Sequence, residues 1–114
     1  MMKRMKLTGP EQQWLLAYRR ELVAMCPAPV ERMIVYGSKA RGDASPESDL
    51  DILLIVSDEA AGQKRALRRI GYMLASDSDV VPSILAYTHG EWRSRKQSRS
   101  PFLRAVERDA VQVL

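Results

Sequence analysis

The chain has 114 residues, 46% of them hydrophobic and 28% charged, with a formal net charge of +4 and a pI near 9.5. That length suits one domain around one hydrophobic core. No apolar run reaches the ~18 residues of a membrane span, and a lone cysteine, Cys26, excludes an internal disulfide, a CxxC pair and a zinc cluster. The positive balance favours anionic partners, whether nucleotide, RNA or an acidic protein face, without choosing among them.

Met1 to Leu7 is basic, but no long apolar segment follows, so it does not read as a secretory signal and the expected location is the cytoplasm. The first eight residues are expected to be a mobile basic arm on a single domain spanning 1–114. Thr8 or Gly9, followed by Pro10 and Glu11, marks a helix start, and Trp14, Leu15, Tyr18, Leu22 and Met25 then recur at helical spacing. Pro27 and Pro29 stop this helix; Cys26 is expected as a small buried or helix-end residue. Val30 to Tyr36 reads as a strand. Residues 38–48 form a loop with a short helical turn, broken by Gly42 and Pro46.

Asp49 to Val56 is the second strand, on which alternate side chains share a face. Asp49, Asp51, Leu53 and Ile55 lie on one side. Leu50, Ile52, Leu54 and Val56 make the other wholly apolar and suited to helices. Residues 59–75 read as a helix with Ala66, Leu67, Ile70, Met73 and Leu74 inward. Asp79 to Tyr87 is a third strand, where Pro82 implies an edge position or a bulge. Helices over Glu91–Gln97 and Pro101–Arg108 and a last strand at Val111–Leu114 complete an α+β layout, a small mixed sheet with helices on one face. His89 is expected to cap a helix or lie on the surface, and Trp14 and Trp92 to anchor the core or an interface. The basic groups Lys64, Arg65, Arg68, Arg69 and Arg93, Arg95, Lys96, Arg99 read as solvated helix faces, because no aromatics interleave with them as a stacking platform requires.

The chemistry concentrates in Gly37-Ser38 and, ten residues further on, Asp49-Leu50-Asp51. Two carboxylates at i and i+2 of a strand point the same way and repel unless a cation joins them. Magnesium accepts one or two carboxylates and completes its shell with water and substrate phosphates. Two such ions, ~3.5–4 Å apart, clamp the attacking and leaving oxygens of an in-line displacement. A glycine lets backbone approach a phosphate, a serine adds a hydroxyl donor, and Lys39 and Arg41 stand close enough in sequence to neutralise a triphosphate. Separately, Asp-x-Asp and Gly-Ser are ordinary turn chemistry; together, each beside an apolar strand, they point to transfer chemistry on a nucleoside triphosphate.

Gly37-Ser38-Lys39-Ala40-Arg41-Gly42-Asp43 with Ser48-Asp49-Leu50-Asp51-Ile52 resembles the signature of the DNA polymerase beta-like nucleotidyltransferase superfamily. Within it, the chain is similar to the minimal nucleotidyltransferases, the MNT or MntA-like group. Asp79 to Leu85, Glu91-Trp92 and Ser100 to Arg104 fit that group less specifically. The resemblance implies that an acceptor attacks the α-phosphate of an NTP, ATP above all, and pyrophosphate leaves. It places Gly37 and Ser38 on the triphosphate and Asp49 and Asp51 on magnesium. Active members usually carry a third acid on a later strand; the candidate here is Asp79, sharing strand parity with Val81, Ser83 and Leu85, with Asp77 a second candidate.

Larger relatives add an acceptor-holding domain, so the acceptor is expected on a partner or across a homo-oligomer. The resemblance implies an HEPN-type toxin as partner and an antitoxin role, by adenylylating the toxin or by binding it. The alternatives are a silent nucleotidyltransferase fold that neutralises by steric binding, and an RNA- or nucleotide-sensing module.

Overall fold

The computed structural model describes residues 5–45 and 47–114. Four strands, β1 (Val30–Tyr36), β2 (Leu50–Val56), β3 (Pro82–Thr88) and β4 (Val111–Gln112), form one sheet in the order β3-β2-β1-β4. β1 runs antiparallel to β2 and to β4, whereas β2 and β3 are parallel. A parallel pair needs a crossover. It is supplied by a 3₁₀ segment (Asp58–Gln63) and the helix α3 (Lys64–Ala75). Backbone bonds from Val113 N to Met33 O and from Met33 N to Leu114 O carry the β1–β4 pairing to the last residue. The mixed α+β architecture matches the expectation.

Helix α1 (Gly9–Val23) starts in a capping box. Glu11 N donates to Thr8 Oγ1 at 3.2 Å, and Thr8 N donates to Glu11 Oε1 at 2.8 Å. It ends at Val23, before Pro27 and Pro29, and Cys26 lies exposed just beyond it. Residues 5–8 do not form a free arm. Met5 and Leu7 pack on the core, and Lys6 N donates to Lys39 O at 3.0 Å. Residues 1–4 of the expected arm, and Pro46 as a loop breaker, lie outside the described residues.

One sheet face is covered by α1 and α3: Trp14, Tyr18, Leu22 and Leu67 meet Met33, Val35, Leu50, Ile52, Leu54 and Ile84. The apolar β2 face is therefore buried as anticipated. The opposite face is also covered, which the expected one-sided arrangement of helices leaves out. There Ile34, Leu53 and Ile55 bury Trp92 of α4 (His89–Gln97) and Leu103 and Val106 of α5 (Pro101–Asp109). Leu53 and Ile55 share a face with Asp51, and apolar side chains there require cover; two short helices provide it.

α3 corrects the expected inward set. Leu67, Gly71 and Ala75 are buried and Ile70 is partly so, while Ala66, Met73 and Leu74 are exposed. Gly71 explains the choice of face, since its bare Cα lets the Tyr18 ring and Ile84 close on the helix. The contact is fixed by hydrogen bonds to helix carbonyls: Trp14 Nε1 donates to Gly71 O at 2.9 Å and Tyr18 Oη to Leu67 O at 2.7 Å. Trp14 and Trp92 are core residues as expected. Of the basic groups, Lys64 pairs with Glu91 at 2.7 Å, Lys96 with Glu107 at 3.6 Å, and Arg95 lies 4.6 Å over the Tyr87 ring.

A methyl at position 71 would stand 2.6 Å from Ile84 Cδ1 and 2.7 Å from Tyr18 ring carbons. Gly71→Ala should therefore lower stability by about 1–3 kcal/mol, as overpacking does, despite alanine's better helix propensity; urea unfolding measures it.

Candidate active site

The site lies where the β1–β2 ladder ends. Tyr36 pairs with Asp51, and both stand on the α4/α5 face of the sheet. The chain then enters α2 (Gly37–Arg41) directly, with Gly37 at φ +78°. That left-handed conformation disfavours any residue with a Cβ. A Cβ here would also run into the Asp51 carboxylate, Oδ2 above all. Gly37 thus lets the turn sit against Asp51, with Ser38 next to it at the start of α2. Asp49, exposed, precedes β2 close enough to act on Asp51 electrostatically. Gly37, Ser38, Asp49 and Asp51 are therefore brought together.

Asp51 is half-buried, and its carboxyl is raised above the ordinary range, first by burial and then by the Asp49 charge, with Arg41 opposing. The Tyr36 phenol is pushed up to about 12, mainly by burial and next by Asp51. Phe102 of α5 supports Tyr36 edge-on, with ring centroids 5.8 Å apart. Two adjacent hard oxygen donors beside a glycine turn suit a hard divalent cation that completes its shell with water and nucleoside triphosphate oxygens.

The remaining expected residues fall elsewhere. Lys39 is 3% exposed and turned toward α1, where Nζ pairs with Glu11 Oε2 at 3.0 Å and reaches Ser45 O at 3.4 Å. Its expected place on the triphosphate is therefore corrected to a structural one. Arg41 stays near Asp51 but is engaged by acids, Asp109 at 2.8 Å and Asp43 at 3.2 Å. Asp109, only 4% exposed, also takes the Arg108 guanidinium at 3.1 Å and is held below the ordinary carboxylate range, first by Arg108. Asp79 lies exposed in the bend before β3, as does Asp77 in the turn preceding it. Among the described residues no three of His, Cys, Asp and Glu form a metal-holding group, and the register that sets Asp51 beside Ser83 leaves Asp79 further back along the chain, in the bend. His89 begins α4, half-exposed, with Nδ1 3.3 Å from Glu31. Sequence reasoning passed over Tyr36, Phe102 and Asp109. Tyr36 was signalled by its place next to Gly37, but nothing local marks the other two.

Residues 15–102 match the nucleotidyltransferase domain family, NTP_transf_2, and the chain belongs to that family. The match takes in Gly37, Ser38, Asp49 and Asp51. Among its relatives is "Putative protein adenylyltransferase MJ0141" of Methanocaldococcus jannaschii, 26% identical over 97 residues that cover 84% of this chain and 91% of that protein. A solved structure described as "a putative nucleotidyltransferase from Sulfolobus solfataricus" aligns over 94% of this chain and 87% of its own at 20% identity, with a TM-score of 0.45. That likeness is too loose to bear on the geometry of the site.

Two outcomes test these placements. Lys39→Met leaves Glu11 buried without its cation and should cost about 3–5 kcal/mol. Adding Glu11→Gln should recover part of that loss in denaturant titrations. Asp51 behaves in the opposite sense. Its folded-state pKa is raised, so ionising it opposes folding: the penalty is complete above the folded pKa and vanishes below the unfolded one. In EDTA at neutral pH, Asp51→Asn should raise Tm by a few degrees, and the gain should disappear as pH falls through the ordinary carboxylate range.

Proposed function

We propose that the protein is a magnesium-dependent nucleotidyltransferase that moves AMP from ATP to a hydroxyl on a partner protein. The observation that supports it most is the Gly37 turn seated against Asp51, with Ser38 and Asp49 beside it. Family membership supports nucleotidyl transfer, and the relative described as a protein adenylyltransferase supports ATP as donor and a protein as acceptor. The partner that the family resemblance implies is an HEPN-type toxin, with this chain as its antitoxin.

In this reading the acceptor oxygen forms a bond to the α-phosphorus. The bond from that phosphorus to the α,β-bridging oxygen breaks, and pyrophosphate departs with its electron pair. The acceptor proton passes to a base or to water. Gly37 sets the turn whose backbone would approach the phosphate oxygens, and the Ser38 hydroxyl would donate to them. Asp49 and Asp51 would hold magnesium, which when bound supplies charge neutralisation for the triphosphate. Tyr36, packed on Phe102, gives Asp51 a rigid apolar flank.

The position of Asp79 favours a second reading, a fold that binds nucleotide and partner but transfers slowly or not at all, and neutralises by contact. One experiment separates the two. The protein is incubated with magnesium, ATP labelled on the α-phosphate and a lysate of the source organism, beside the Asp49→Asn/Asp51→Asn variant. The proposed reading expects a labelled macromolecule with the unmodified protein and none with the variant. Equal labelling by both contradicts it. A variant that fails to label yet protects fully against the toxin supports the contact reading.

A further inference from the structure

The parallel register of β2 and β3 determines what stands beside the acid pair. Leu50 aligns with Pro82, Asp51 with Ser83, Ile52 with Ile84 and Leu53 with Leu85. Ile84 and Ala86 are buried with α1 and α3, whereas Leu85 and Tyr87 pack on the α4/α5 side. Alternation therefore puts Ser83 on the same face as Asp51. Paired strands lie ~4.7–4.9 Å apart, so residue 83 is the β3 position adjacent to the Asp51 carboxylate. On the far side of Asp51 stands Tyr36. The next β3-side residue of the same parity is Val81, which is 58% exposed. None of these neighbours is a carboxylate, and Asp79 and Asp77 lie further back in the turn and bend.

Ligand number then limits the site. A second cation ~3.5–4 Å away needs oxygen ligands beyond the pair that holds the first, and the described residues offer no third acid there. We infer that the site takes a single divalent cation together with the nucleotide, and that Ser83 occupies the place on β3 where the ligand for a second cation would have to stand. This rests on the reading that Asp49 and Asp51 hold a cation with a nucleoside triphosphate. It adds that the acceptor hydroxyl is deprotonated by a group the acceptor protein or solvent provides, since among the described residues no carboxylate stands on β3.

The test counts Mn²⁺ bound per molecule of bound α,β-methylene-ATP, which cannot undergo transfer, by equilibrium dialysis with electron paramagnetic resonance of the bound ion. The unmodified protein should bind one Mn²⁺ with the uncoupled six-line signal of an isolated ion. Ser83→Ala should leave that count unchanged, and Ser83→Asp should add a second ion, spin-coupled to the first. Two ions on the unmodified protein overturn the inference while leaving the transferase reading intact. So does loss of the ion in Ser83→Ala, which would make Ser83 itself a ligand, or a folded Ser83→Asp that still binds one. Nucleotide bound without any protein-held Mn²⁺, unchanged by Asp49→Asn/Asp51→Asn, overturns the metal role of the acid pair as well. The count on the unmodified protein decides the matter even if Ser83→Asp fails to fold.

Discussion

The pairing of Tyr36 with Asp51 at the end of the β1–β2 ladder is the constraint from which the site follows. It brings the last residue of one strand beside the first acid of the next. The chain must then turn over that acid without a side chain in the way. Gly37 meets both demands, a positive φ and an open path to the Asp51 carboxylate. The register also fixes which face the chemistry occupies. Asp51 lies on the α4/α5 side, leaving the wholly apolar side of β2 free to bury under α1 and α3.

A five-residue helix such as α2 is not stable by itself, because nucleation costs more than so few hydrogen bonds return. It is held from two sides. Lys39 pairs with Glu11 of α1, and Arg41 with Asp109 of α5. Glu11 serves twice, capping α1 with one carboxylate oxygen and pairing Lys39 with the other. The cations nearest the Gly-Ser turn are thereby spent on holding it in place, and in the proposed function phosphate binding would fall to the turn, to Ser38 and to a metal on the acid pair. The raised carboxyl of Asp51 belongs with this picture: a half-buried acid next to another acid is kept at some cost to the fold, as functional sites often are.

Much of this was legible locally. The strands announced themselves through apolar runs, Thr8-x-x-Glu11 through its capping pattern, and the motif through the joint presence of Gly37-Ser38 and Asp49-x-Asp51. Pro82 implied an edge position or a bulge, and it opens β3, which is an edge strand. What failed depended on contacts distant in sequence. Lys39 in a glycine-flanked turn has the look of a phosphate ligand, and only the approach of α1 shows its partner to be Glu11. Met73 and Leu74 look like core, but the helix packs through Gly71, a residue with no side chain to signal burial. Asp79 was given strand parity across a stretch that is a bend, and Ser83 became visible only through the register of two strands joined by a helical crossover, which no local pattern encodes.

The most direct measurement of where the nucleotide goes is paramagnetic broadening of backbone amide resonances by Mn²⁺–ATP. If the site is the glycine turn against the acid pair, Gly37, Ser38, Asp49, Leu50, Asp51 and Ser83 should lose intensity first, and the effect should vanish in Asp49→Asn/Asp51→Asn. Broadening centred instead on the arginines of α3 and α4, and indifferent to those substitutions, would contradict the account.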